Sequence, residues 1–71
     1  MTIYVLTDIG ESYASNPTPQ LTDGMRVLYF LRRHHGKAGD DQIKAFSGVS
    51  ENSISSTLGE LVKKHAVQKI G

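Results

Sequence analysis

Few residues of this chain have the type and spacing to do bond-making chemistry. His34 and His35 are neighbours, so on a helix they point to different faces and make a poor metal pair. With His65 they read more simply as helix-end residues, one of them partly buried. Asp40 and Asp41 have the position of a capping pair ahead of a helix rather than of a general acid and base. Gly10, Gly24 and Gly59 match no phosphate-cradling loop. There is no cysteine, hence neither a disulfide framework nor a thiolate metal site. No set of nucleophile, base and orienting group is apparent. The expectation is a protein that is not an enzyme, with no catalytic or metal site, no cofactor and no indicated small-molecule ligand.

The 71 residues make room for one domain, which buries only about 60% of the surface of its unfolded chain. It must hold by packing alone or by packing against a second copy. Net charge is +1, so any anionic partner has to be recognised by the placement of charge rather than by its total. No apolar run approaches the roughly 18 residues of a membrane span, and the first residues do not read as a signal peptide. Cysteine absence fits a cytoplasmic protein.

Residues 2–6, T-I-Y-V-L, are β-branched and aromatic and predict a strand. Asp8 and Glu11 have capping-box spacing and predict a short helix over 9–15, buried through Ile9, Tyr13 and Ala14 and weakened by Gly10. Two prolines make 16–20 a linker. The longest helical pattern covers 21–35, capped by Thr22 and ended by a C′ glycine at Gly36. Gly39 or Asp40 caps a second helix over 41–47, whose buried pair is Ile43 and Phe46. Gly48 suits a tight turn, Val49 plugs the core, and Ser50 caps a third helix to about 64 or 65. On that helix Ile54, Leu58, Leu61, Val62 and His65 share one arc; Asn52, Ser53, Ser56, Gly59, Glu60 and Lys63 lie opposite. Residues 66–70 alternate and predict a final strand. The five tyrosines and phenylalanines, Tyr4, Tyr13, Tyr29, Phe30 and Phe46, read as core.

A helix, a turn with a glycine and a hydrophobe, and a helix opening on serine make a helix-turn-helix pattern. The stretch I-K-A-F-S-G-V-S-E-N-S-I-S-S-T-L-G-E-L-V-K-K-H-A-V resembles the winged helix-turn-helix domains of bacterial and archaeal transcription regulators. The resemblance spans 21–70. Tyr4-Val5-Leu6-Thr7-Asp8-Ile9-Gly10 is similar to the Y-x-L-T-x-x-G segment that ends the wing of many such regulators and starts a following helix. Here it comes first in the chain. Either the N-terminal strand folds back to pair with 67–70, or the chain is a slice of a longer or tandem protein. The first is preferred, since both strands alternate and unpaired edges are avoided. Three features depart from the pattern. Lys44 stands where a small residue is common, Ser47 where a leucine is, and the first two turns of the third helix hold no Arg or Lys.

The resemblance implies an α+β, mostly α, single winged helix-turn-helix domain over 1–71. Residues 1–15 supply a strand and an extra helix, 16–20 the linker, and 21–71 the three-helix core and last strand. The chain ends would form a two-stranded wing. It implies sequence-specific or semi-specific binding of duplex DNA with the third helix in the major groove, in a transcription regulator of the cytoplasm or nucleoid. Asn52 would pair with adenine, and Ser53, Ser56 and Thr57 would touch bases or phosphates. Ser50 and the helix N-terminus would hold a phosphate. Lys63, Lys64 and Lys69, with Lys37 and Arg32 or Arg33, would neutralise the flanking backbone. Glu51 and Glu60 oppose this, and a homodimer reading two half-sites is the usual remedy. The alternative is a winged-helix interaction or dimerisation module of a larger assembly, without DNA contact.

Overall fold

The computed structural model describes residues 2–16 and 21–71. In chain order they form β1 (Ile3–Leu6), α1 (Asp8–Ser15), α2 (Asp23–Arg33), β2 (Lys37–Gly39), α3 (Asp40–Phe46), α4 (Glu51–Lys63) and β3 (Val67–Ile70). The architecture is α+β and mostly helical, with an open, three-stranded antiparallel sheet in the order β2-β1-β3. The linker expected at 16–20 falls, beyond Asn16, outside the described residues.

β1 and β3 pair as the sequence suggests, with Ile3 opposite Ile70 and Leu6 opposite Val67. The sheet nonetheless has a third strand, over residues that carry no strand signal in the sequence. Lys37, Ala38 and Gly39 pair with Val5, Tyr4 and Ile3. A three-residue stretch that follows Gly36 and ends on Gly39 carries almost no strand propensity. The pairing partner, not the local sequence, makes β2 a strand.

α2 is the central helix, packed against α1, α3, α4, β1 and β2. It buries Val27, Leu28, Phe30 and Leu31, and these meet Ile43 of α3, Ile54, Leu58 and Leu61 of α4, and Tyr4 and Val67 of the sheet. Leu28, Leu31, Ile43, Ile54, Val27 and Val67 are the largest side chains sealed from solvent. Each contributes about 1.5–3 kcal/mol of burial free energy. Thr22 caps α2, its Oγ1 accepting from the Met25 amide at 3.3 Å.

Both long helices end the same way. The Gly36 amide donates to the Leu31 carbonyl at 2.7 Å, and the Ala66 amide donates to Leu61 at 2.9 Å. This is the six-to-one bond of a Schellman motif, and its C′ position needs a positive φ. That position is His35 (φ 62°) after α2 and His65 (φ 61°) after α4, so the expected C′ glycine, Gly36, stands one residue further on. His65 is accordingly exposed rather than part of the buried arc of α4. His34 and His35 are exposed too, so none of the three histidines is the partly buried one anticipated.

α1 differs most from expectation. Its cap is Thr7, not Asp8: the Thr7 hydroxyl oxygen accepts from the Gly10 amide at 3.1 Å. The same hydroxyl donates to the His65 carbonyl. The Thr7 amide donates to the Ala66 carbonyl at 3.2 Å. With Thr7 bonded to the 65–66 backbone, Gly10 and Ala14 face inward while Ile9 and Tyr13 stay about half exposed. Gly10 is where the chain of α1 meets the α4–β3 junction: a Cβ there would lie 2.0 Å from the Ala66 carbonyl oxygen.

Phe46 is the other misplaced hydrophobe, 71% exposed. α3 starts and ends one residue earlier than expected, and Ile43 is the residue it buries. The place next to the turn goes to Ser47, which is buried and accepts from the Val49 amide at 3.4 Å.

Candidate nucleic-acid interface

α3, the turn through Gly48 (φ 84°) and Val49, and α4 form a helix pair joined by a short turn. Val49 is buried and anchors the turn to the core. Along α4, Ile54, Leu58 and Leu61 point inward. At 100° per residue the opposite side holds Asn52, Ser56, Gly59 and Lys63, and all four are exposed. Added to Gly59, a Cβ would meet no described residue within 4 Å, so there is open space at that position. Ser53 and Thr57 lie on one flank and are half-buried.

The start of α4 carries unspent hydrogen-bond capacity. Ser50 occupies the N-cap position, but its side chain makes no capping bond. Its carbonyl accepts from the Ser53 and Ile54 amides, each at 3.0 Å. The amides of Glu51 and Asn52 have no intrahelical acceptor to reach, as in any first turn. The Ser50 hydroxyl is exposed beside them. Glu51 stands in the same turn and opposes an anion there.

The candidate cations divide by position. Lys63 is on the outward side of α4. Lys64 borders a hollow with Tyr13, Thr22, Met25, Leu28 and Leu61, on the flank towards α1 and α2. Lys69 of β3 is paired with Tyr4, and so shares the helix-facing side of the sheet. It joins Lys44, Ser55, Gly59 and Val62 around a hollow of about 390 Å³ between the sheet, α3 and α4. Lys44 and Ser55 were not among the sequence candidates. Lys44, which stands where the helix-turn-helix pattern commonly has a small residue, is exposed, 3.8 Å from Asp40. Tyr4 lies at the same hollow. Its hydroxyl is held above the ordinary value of 10.0, first by burial and then by the negative charge of Asp40.

Lys37 and Arg33 are not part of this grouping. Lys37 is on β2, the opposite edge of the sheet from Lys69, beside His34, His35 and Asp41. Arg33 borders a hollow on α2. His34 is engaged locally, stacked on Phe30 with ring centroids 5.3 Å apart and its Nδ1 3.1 Å from the Lys37 carbonyl oxygen. Among the described residues no group of three or more His, Asp or Glu side chains is placed to hold a metal ion. None of their helices is long and apolar enough to cross a membrane.

No known protein family, curated protein or solved structure matches the chain.

Proposed function

We propose that the chain is a winged helix-turn-helix module that binds duplex DNA in transcription regulation, with α4 in the major groove. One observation carries the reading: Asn52, Ser56 and Lys63 form an uncovered polar side on the second helix of a helix-turn-helix pair, with Lys69 beside it. In this reading the antiparallel β1–β3 pair is the wing that flanks the groove.

In this arrangement the Asn52 amide reads an adenine edge, and Ser56 contacts a base or phosphate. The first-turn amides of α4 and the Ser50 hydroxyl take a phosphate oxygen. Lys63, Lys64 and Lys69 neutralise the backbone to either side. Three such contacts give a log–log salt slope of about −2.7, or about a 40-fold loss of affinity between roughly 50 and 200 mM salt. Glu51 and Glu60 lower affinity per copy, so a homodimer on two half-sites is expected.

The test is a fluorescence-anisotropy titration of mixed-sequence duplex at several salt concentrations, with an NMR map of shifted amides. The expected result is a steep salt dependence and shifts gathered in Ser50, the outward side of α4 and β3. Absence of binding at low salt defeats the reading.

A further inference from the structure

The chain separates its two kinds of cation. All five lysines lie on β2, α3, the end of α4 and β3, whereas all three arginines are on α2. Arg26, Arg32 and Arg33 border one open hollow of about 640 Å³, together with Leu21, Tyr29 and Ser47. Arg26 and Arg33 are two turns apart on the same side of the helix, a rise of about 10 Å, with Tyr29 between them. Arg32 is occupied: it is 3.3 Å from the Glu11 carboxylate and donates to the Ala14 carbonyl at 3.2 Å. Arg26 and Arg33 have no carboxylate within 4 Å among the described residues. The Arg26 guanidinium lies against the α3–α4 turn, 3.5 Å from where a Cβ on Gly48 would be.

The hollow also has apolar walls. Leu21 is 53% exposed at its rim, and Tyr29 is half-buried in its floor. We propose that this hollow docks an acidic segment of a partner protein, one that brings carboxylates to Arg26 and Arg33 and a large apolar side chain to Leu21 and Tyr29.

A guanidinium pairs bidentately with carboxylates and phosphates alike and tolerates burial under a partner, so the choice of a protein over a phosphate backbone rests on two other arguments. Arginine and tyrosine are enriched at protein interfaces, where lysine is depleted. An exposed leucine beside a tyrosine gains nothing from a sugar–phosphate chain but is covered by an aliphatic side chain. The hollow is lined by residues of α2 with Leu21 and Ser47, and by none of Asn52, Ser56, Lys63 and Lys69, so a partner seated in it does not use the side chains of the DNA reading. The proposal goes beyond DNA binding and does not depend on it.

The test titrates the full chain against a short fluorescent peptide in which Asp and Glu alternate with Leu. A second peptide has Asn and Gln in place of the acids, and mixed-sequence duplex is titrated in parallel. Saturable binding of the acidic peptide alone is expected. The Arg26→Gln/Arg33→Gln variant should weaken it by about tenfold or more. Lys63→Gln should leave it unchanged. Both arginines are exposed, so the variant should keep the wild-type circular dichroism spectrum. Failure of the acidic peptide to saturate, or equal binding of the uncharged one, overturns the proposal. So does loss of duplex binding in the arginine variant with peptide binding intact, which would assign the hollow to nucleic acid. Peptide binding without any duplex binding would defeat the DNA reading and leave this one standing.

Discussion

Replacing Gly10 by alanine puts two opposing effects in one methyl group. Gly10 is a helical residue, and alanine is favoured there by about 1 kcal/mol on propensity alone. The new Cβ, however, would lie 2.0 Å from the Ala66 carbonyl oxygen and 2.7 Å from a methyl of Leu6. A normal carbon–oxygen contact is about 3.3 Å, so α1 or the α4–β3 junction must retreat by roughly 1.3 Å. The obstacle is backbone, held by the Ala66 amide's bond to Leu61 and by the Thr7 amide's bond to the Ala66 carbonyl. Overpacking of this kind costs about 1–3 kcal/mol, and loss of the Thr7–Ala66 bond adds about 1. After the propensity gain the net destabilisation is about 1–3 kcal/mol. At roughly 4–8 °C per kcal/mol for a domain of this size, Tm falls by about 10 °C. Thermal unfolding followed by circular dichroism reads this directly. An unchanged or higher Tm in Gly10→Ala would refute the close approach of α1 to Ala66, and with it the reason for a glycine there.

Gly59→Ala is the converse case: with open space around the new methyl, it should stabilise by about 1 kcal/mol in the same assay. His35→Gly and His65→Gly each remove a side chain from a left-handed backbone position, and a Tm rise worth about 0.5–1 kcal/mol is expected from each. Tyr4 ties stability to alkaline pH. Its folded pKa lies above the unfolded 10.0, so its contribution is intact below pH 10 and is lost as pH rises through the folded value. In urea unfolding at a series of alkaline pH values, Tyr4→Phe should lose stability less steeply than the wild type. For the DNA reading, Lys63→Gln should reduce the salt slope of duplex binding by about 1, while Asn52→Ala should cost about 1–3 kcal/mol at a single base position.

What was legible in the sequence follows local rules. α2 and α4 announce themselves because apolar residues recur every three or four positions and Thr22 and Ser50 stand at their starts. The exposed side of α4 could be read from the same periodicity, since burial of Ile54, Leu58 and Leu61 leaves Asn52, Ser56 and Lys63 opposite. The pairing of the terminal strands followed from their matched length and alternation. β2 was hidden, because Lys37-Ala38-Gly39 has no period and only the free edge of β1 makes it a strand. The arginine hollow was hidden for a related reason: residues 21 and 47 reach it only once α3 has folded against α2.

The Tyr4-Val5-Leu6-Thr7-Asp8-Ile9-Gly10 segment shows where the two kinds of information divide. Its composition alone determined a strand followed by a helix start, because β-branched residues and a capping side chain act within a few residues of themselves. Which residue caps, and which way the helix then faces, was decided by the α4–β3 junction. Thr7 is held there by two bonds to the 65–66 backbone, and Gly10 must lie against Ala66. Those partners are more than fifty residues away along the chain, so no local pattern could carry them.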